Sequence, residues 1–122
     1  MTTSEALAGL GSLAQETRLA VFRLLVQQGP AGLAAGAIAE ALGVPASSLS
    51  FHLHQLMHAG LVTQERRSRQ LIYAASYERM NALVSYLTEN CCGGASCAPA
   101  GTVQCAPPGR PVKVRAAGRG RR

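Results

Sequence analysis

The four cysteines of the chain all lie in one short segment near its C-terminus: Cys91, Cys92, Cys97 and Cys105. Disulfides that stabilise a small fold link distant parts of the chain, so this clustering argues against a disulfide framework. In a reducing cytosol, clustered thiols are typical of a site for a soft metal ion or of a redox sensor. The cysteines are therefore the first candidates for a ligand site.

A second group of polar residues lies between residues 46 and 58, where serines and histidines are interspersed with leucines. At about 100° per residue, Leu49, Leu53 and Leu56 fall on one side of a helix. Small polar side chains near a helix N-terminus can hydrogen-bond to base edges and phosphates. The residues that we expect to contact DNA from this helix are Ser47, Ser48, Ser50, Phe51 and His54.

His54 and His58 lie four residues apart on the same predicted helix and are also spaced for a metal ion. No cysteine or carboxylate lies nearby in the sequence to complete such a site. We therefore interpret both histidines as part of an exposed polar face.

A third group consists of three arginines, Arg66, Arg67 and Arg69, between short strand candidates at residues 61–64 and 70–74. Two such strands predict a hairpin, or wing, with the arginines at its tip. Arginines in that position suit contacts with phosphates or with the minor groove. The wing and the preceding helix together favour DNA binding.

Hydrophobic periodicity predicts five helices that must position these groups. Two lie within residues 4–28, one covers 35–42 and ends at Gly43, one ends near His58, and the last runs from an N-cap at Ser76 to about Asn90. The apolar faces of the first two helices are Leu7, Leu10 and Leu13, then Leu19, Phe22, Leu25 and Val26. With a two-stranded hairpin before the last helix, this order predicts a mainly α (α+β) winged helix-turn-helix.

The chain has 122 residues, of which 48% are hydrophobic, enough for one compact core. We expect a DNA-binding and dimerisation domain at residues 1–92 and a flexible tail at 93–122. No apolar run reaches the roughly 18 residues of a membrane span and no signal sequence is evident, so we expect a cytoplasmic protein.

The net charge of +6 comes entirely from the end of the chain, because residues 110–122 hold six of the twelve basic residues and no acid. The remaining six basic residues balance the six glutamates. This tail can add sequence-independent attraction to phosphates, or it can simply be solvated.

Three segments of the chain resemble the ArsR/SmtB family of metal-responsive repressors: LAVFRLL at residues 19–25, SFHLHQL at 50–56 and AGLV at 59–62. The resemblance covers residues from about 5 to 97. It implies a homodimer built on the first and last helices, and repression that a metal ion relieves. Phe51 departs from the polar residue that many members carry at that position.

The arrangement Cys91-Cys92-x4-Cys97 resembles the arsenic-responsive subgroup of that family, in which three thiolates bind the ion. Trivalent arsenic is soft and takes three ligands in a pyramid, which three cysteines supply without histidine or carboxylate. Zinc-type sites on the last helix are disfavoured, because that helix offers only Glu78 and Glu89. We expect As(III), or Sb(III), as the inducer and no organic cofactor.

Several alternatives stay open for the cysteines. Cys105 can act as a fourth ligand, which would suit zinc, cadmium or lead. Cys91 and Cys92 can act as a redox sensor, or the cysteines can be incidental to function. An enzyme is poorly supported, since all three histidines lie on the predicted DNA-reading helix and no glycine-rich anion loop precedes a cysteine.

The last helix also indicates how a bound ion would affect DNA binding. Its apolar stripe, which we assign to the dimer interface, comprises Met80, Leu83, Val84 and Leu87. Cys91 follows on the same face, whereas Cys92 points about 100° away if the helix continues. We therefore expect that joint binding unwinds the helix end at Gly93-Gly94 and changes the spacing of the two DNA-reading helices.

Overall fold

The computed structural model describes residues 1–94, and the segment from residue 95 onward, with Cys97, Cys105 and the basic tail, lies outside it. Its elements, in chain order, are α1 Thr3–Leu13, α2 Glu16–Gln28, β1 Leu33–Ala34, α3 Ala35–Leu42, α4 Ala46–His58, β2 Val62–Arg67, β3 Gln70–Ala75 and α5 Tyr77–Leu87. A short 3-10 turn, Cys91–Gly94, follows. This order confirms the winged helix-turn-helix. No helix within this part of the chain has both the length and the apolar character needed to cross a membrane.

The helix boundaries follow from local capping. Thr2 and Glu5 form a reciprocal capping box at the start of α1. Gly43 ends α3 in the left-handed conformation, at φ 65°. Ser76 accepts a hydrogen bond from the backbone N–H of Arg79 and starts α5, as the sequence predicted.

The sheet has three antiparallel strands in the order β1-β3-β2, so the prediction of a two-stranded hairpin was incomplete. Leu33 and Ala34 pair with Tyr73 and Ile72 along the inner edge of the hairpin. The preceding Gly32 has a φ of 72°, and a Cβ there would lie 2.5 Å from the carbonyl oxygen of Tyr73. Glycine therefore lets the chain approach β3 closely enough for this short strand to form.

The core lies where α2, α3 and α4 meet the sheet. Its fully buried side chains are Val21, Leu25, Ile38, Leu49, Leu53, Leu56 and Leu61. Replacing one of these leucines by alanine would cost about 2–5 kcal/mol of folding stability. The three leucines of α4 therefore fix this helix against the core and leave its other side to solvent.

The predicted apolar faces of the first two helices were partly wrong. Leu7, at 63% exposure, lies outside the core together with Leu10 and Leu19. The buried side of α1 is instead formed by Ala6, Gly9 and Ser12. At Gly9 α1 lies close to α5, since a Cβ there would be in van der Waals contact with Leu83 Cδ2, at 3.6 Å.

The last helix ends at Leu87, three residues before the predicted end. The Thr88 hydroxyl donates to the carbonyl oxygen of Val84, and Asn90 adopts a left-handed φ of 58°. A helix cannot continue through such a residue. The helix end is thus already unwound before the cysteines, which corrects the expectation that ion binding unwinds it.

The apolar stripe assigned to the dimer interface also divides into two parts. Leu83 is buried within the chain's own core, and Met80 is half-buried against it. Val84 and Leu87 remain exposed. Only these two residues of the stripe are therefore available to a second copy.

Candidate nucleic-acid interface and cysteine site

Helix α4 presents the predicted polar residues to solvent. Its exposed side chains include Ser47, Ser48, Ser50, Phe51, His54 and His58, while its leucines are buried. Pro45 occupies the N-cap and provides no side-chain hydrogen bond to the first turn. The N–H groups of that turn are thus left to an outside acceptor, such as a phosphate oxygen. The two-sided character predicted from the sequence is confirmed.

His52 lies between the two sides of α4 and is held by a residue that the sequence did not single out. Arg18 Nη1 donates to His52 Nδ1 at 3.2 Å, and Arg18 Nε donates to the carbonyl oxygen of Ser12 at 2.7 Å. Burial, and secondarily the charge of Arg18, lowers the pKa of His52 below its usual value of 6.5. His52 is therefore a neutral acceptor, and Arg18, on α2, links it to the end of α1. No sequence signal reveals this pair, because its members lie 34 positions apart.

The three arginines of the wing do not all lie at its tip, where the sequence predicted them. Arg66 and Arg67 lie within β2, and the turn contains only Ser68 and Arg69, with Ser68 at φ 57°. Strand β2 is longer than predicted because charged side chains are well tolerated on an exposed edge strand.

The three arginines differ in their partners. Arg67 Nη2 forms an ion pair with Glu65 Oε1 at 2.9 Å, and Arg67 Nη1 donates to the carbonyl oxygen of Ala31 at 3.1 Å. Arg66 and Arg69 are exposed and have no hydrogen-bond or ion-pair partner within residues 1–94. These two are consequently the free cations of the wing in the described part of the chain. Helix α4 contacts β2, the strand whose far end carries Arg66.

Cys91 and Cys92 lie four and five residues beyond the end of α5. Cys91 is half-buried and Cys92 is exposed, at a left-handed φ of 57°. Their sulfur atoms lie 3.5 Å apart. Cys92 is disulfide-bonded. A site that uses both sulfurs as thiolates therefore requires the disulfide to be reduced.

The remaining predicted ligands, Cys97 and Cys105, lie outside the described residues. Within residues 1–94, no three His, Cys, Asp or Glu side chains stand close enough to hold a metal ion. His54 and His58 accordingly have no third ligand there. The three-thiolate site stays a prediction, of which the structure describes two members.

Comparison with known proteins supports the interpretation of the α3–α4 region. The model of a family described as a helix-turn-helix domain matches residues 13–65. The chain contains a helix-turn-helix domain. It is similar to the HTH-type transcriptional regulator YgaV of Escherichia coli (strain K12), with 28% identity over 91 residues that cover 75% of this chain and 90% of YgaV.

Two solved structures also share the fold. An ArsR-like transcriptional regulator from Rhodococcus sp. RHA1 has 27% identity and a TM-score of 0.62, over 69% of this chain and 76% of that protein. The homodimeric winged helix-turn-helix DNA-binding domain of Mb0332 from Mycobacterium bovis has 27% identity and a TM-score of 0.57, over 76% and 86%. The structural relatives of this chain therefore include transcriptional regulators of the ArsR type.

Proposed function

We propose that the protein is a homodimeric transcriptional repressor that binds operator DNA and is released when As(III) or Sb(III) binds its cysteine thiolates. The observation that carries the DNA-binding part is the exposed polar side of α4, which starts at a helix N-terminus without a side-chain cap. A helix of this kind fits the major groove, and the wing arginines reach phosphates. The regulators to which the chain is similar support this assignment.

The exposed apolar residues of α1 and α5 support a homodimer. Leu7 and Leu10 on α1, and Val84 and Leu87 on α5, are exposed although the two helices pack against each other. Exposed apolar residues that form a patch mark protein–protein interaction sites, and we infer that these four residues belong to one such patch. Mb0332, which is homodimeric, shows that this fold can dimerise. A two-fold dimer would present two copies of α4 to successive major grooves of DNA.

The geometry of the cysteine pair fits a thiophilic ion. Two sulfur atoms 3.5 Å apart can be bridged by one ion with bonds of about 2.3 Å, the length of a zinc–thiolate bond. The absence of a histidine or carboxylate cluster within residues 1–94 favours an ion that accepts an all-thiolate site. We infer that Cys97 supplies the third thiolate.

The cysteine segment lies close to the proposed dimer surface. Leu87, at 58% exposure, is the last residue of α5, and Cys91 follows it by four positions. The hydroxyl groups of Tyr86 and Thr3 are hydrogen-bonded at 2.6 Å, which joins this end of α5 to the start of α1. An ion that reorders the segment would therefore act next to both helices of the interface. Release follows if the ion binds the DNA-free arrangement more tightly than the DNA-bound one.

A DNA-binding titration with arsenite tests the proposal. The operator is first selected from random DNA with the full-length protein, which is kept reduced with a phosphine so that no added thiol competes for the ion. Fluorescence anisotropy then measures affinity with and without arsenite, antimonite, zinc, cadmium or lead. We expect arsenite and antimonite to release the DNA. If DNA binding is intact and arsenite has no effect, the sensing part of the proposal is wrong, and release by zinc, cadmium or lead would indicate the four-ligand alternative.

A thiol redox switch is the second candidate function, because Cys92 is disulfide-bonded and its sulfur lies near that of Cys91. This function predicts that oxidation alone changes operator affinity in the absence of any metal ion. Comparison of the phosphine-reduced and the oxidised protein measures this effect directly. Equal affinity in both states would exclude the redox switch.

A further inference from the structure

Phe51 is unusual on the polar side of α4. The ring is 57% exposed, although burying a phenylalanine would contribute about 1.5–3 kcal/mol. The side chain lies on the same side of the helix as Ser47 and His54, at helical spacings of four and three residues. A single exposed apolar residue is common on protein surfaces, but this one stands in the centre of the candidate DNA-reading side.

The other exposed apolar residues have different surroundings. Leu7, Leu10, Val84 and Leu87 belong to α1 and α5, where the proposed dimer surface lies. Leu71 pairs across the wing with Arg66, and Leu19 lies on α2. Phe51 therefore has no part in the α1–α5 surface, so any partner that covers it approaches α4 itself.

The orientation of the ring is restrained from one side. The rings of Phe51 and His52 meet edge to face, with centroids 5.7 Å apart at an angle of 64°. His52 is in turn fixed by the hydrogen bond from Arg18. The ring of Phe51 thus packs against His52, whose own position is fixed, and this contact restricts the rotation of the Phe51 side chain. Less conformational entropy is therefore lost when the ring contacts a ligand.

We propose that Phe51 packs against the C5-methyl group of a thymine in the major groove and makes the protein select thymine at that position. This inference rests on the proposed binding of DNA through α4. Among the base edges in the major groove, the thymine methyl is the one apolar group, and a phenylalanine has no hydrogen-bonding atom with which to read any other. The serines and His54 around it can hydrogen-bond to neighbouring bases or phosphates.

The same reasoning extends to methylated cytosine. A cytosine at this position lacks the methyl group and weakens binding, whereas 5-methylcytosine carries a methyl group at the same ring carbon. We therefore expect cytosine methylation to restore part of the affinity that a thymine-to-cytosine change removes. The contact with a single methyl group corresponds to a roughly fourfold change in affinity per half-site, the equivalent of one buried CH₂ group.

Replacement of thymine by deoxyuridine tests this contact, since it removes only the methyl group. In a site selected from random DNA, each thymine is replaced in turn, and affinity is measured for the full-length wild-type protein and for Phe51→Ala. We expect one position at which deoxyuridine weakens wild-type binding about fourfold per half-site. The variant should bind the thymine and deoxyuridine sites equally. Leu19→Ala, which truncates an exposed apolar side chain on α2, is the matched control and should keep the wild-type preference.

The outcomes separate this inference from the proposed function. A wild-type protein that binds its selected site without any deoxyuridine effect overturns the Phe51 contact and leaves DNA binding intact. Retention of the effect in Phe51→Ala, or a selected half-site without thymine, overturns it as well. Failure of the wild type to bind any DNA overturns both proposals. If Phe51→Ala does not fold, Phe51→Ser provides the same comparison, because an exposed position tolerates a polar residue.

Discussion

The two free arginines of the wing should control the salt dependence of DNA binding, and Arg67 should not. Arg66 has no partner within residues 1–94, whereas Arg67 is engaged by Glu65 and by the carbonyl oxygen of Ala31. To reach a phosphate, Arg67 must give up both interactions. We therefore expect different results from Arg66→Ala and Arg67→Ala, although the sequence assigned both residues to DNA.

The magnitude follows from counterion release. Each phosphate contact to duplex DNA contributes about 0.9 to the slope of log K against log salt concentration. A dimer loses two contacts when Arg66 is replaced, so the slope should become shallower by about 1.8. Affinity should fall for operator and random DNA alike, because phosphate contacts carry no sequence information.

Arg67→Ala is the matched control. Its slope should stay at the wild-type value, while the lost ion pair lowers folding stability by at most about 1 kcal/mol, since both partners are largely exposed. Fluorescence anisotropy at five or more salt concentrations, on operator and on random duplex, measures both slopes.

An unchanged slope in Arg66→Ala would remove this arginine from the interface. A loss of slope in Arg67→Ala as large as that expected for Arg66→Ala would show that its contacts with Glu65 and Ala31 break when DNA binds. Either result refutes the assignment of DNA-contacting arginines from their partners in the free protein.

Three further predictions address the sensor, the reading helix and pH. Cys91→Ser, Cys92→Ser and Cys97→Ser should keep operator affinity but should no longer be released from DNA by arsenite, because hydroxyls are hard ligands. Cys105→Ser should respond to arsenite like wild type. If arsenite releases Cys97→Ser from DNA but does not release Cys105→Ser, the third ligand is Cys105. Ser50→Ala and His54→Ala should each cost about 1–3 kcal/mol at the operator and little on random DNA, and equal losses on both would limit them to backbone contacts. The pKa of His52 is lower in the folded state, so below a pH of about 6.5 the unfolded state binds more protons at this residue than the folded state does. The free energy of unfolding should therefore fall as the pH drops below about 6.5, and His52 contributes no more than about 1.4 kcal/mol per pH unit to this fall. Urea unfolding at fixed protein concentration measures this slope, which His52→Gln should reduce; an unchanged slope would contradict the assignment.

Much of the fold was predictable because it depends on local patterns. The predicted range of α3 and the predicted end of α4 match the structure. Apolar periodicity indicates both helices, and the left-handed Gly43 marks the end of α3. Strand β1 was not predictable in this way. Two residues are too few to show an alternating pattern, and the strand exists because Gly32 lets the chain approach β3.

The candidate site was predictable to a similar extent. The exposed serines of α4 follow directly from its buried leucines, because opposite sides of one helix are fixed together. The tether of Arg67 to Ala31 and the Arg18–His52 pair depend on residues more than 30 positions apart, which one sequence does not reveal. The stripe on α5 was ambiguous for another reason. Periodicity shows that a face is apolar, but not whether the chain's own core or a second copy covers it.

The described contacts also provide a physical connection between the cysteine segment and the DNA-reading helix. Tyr86 and Leu83 join α5 to α1, and the end of α1 is joined to α4 through Arg18 and His52. Each step is a hydrogen bond or close packing, so a displacement of α5 relative to α1 changes the surroundings of His52. Such a connection explains regulation only if two arrangements of the dimer exist and the ion and the DNA favour different ones. The exposed residues of α1 and α5 lie at the proposed dimer surface, so a change in the contacts between the two copies would be the event that displaces α5 relative to α1.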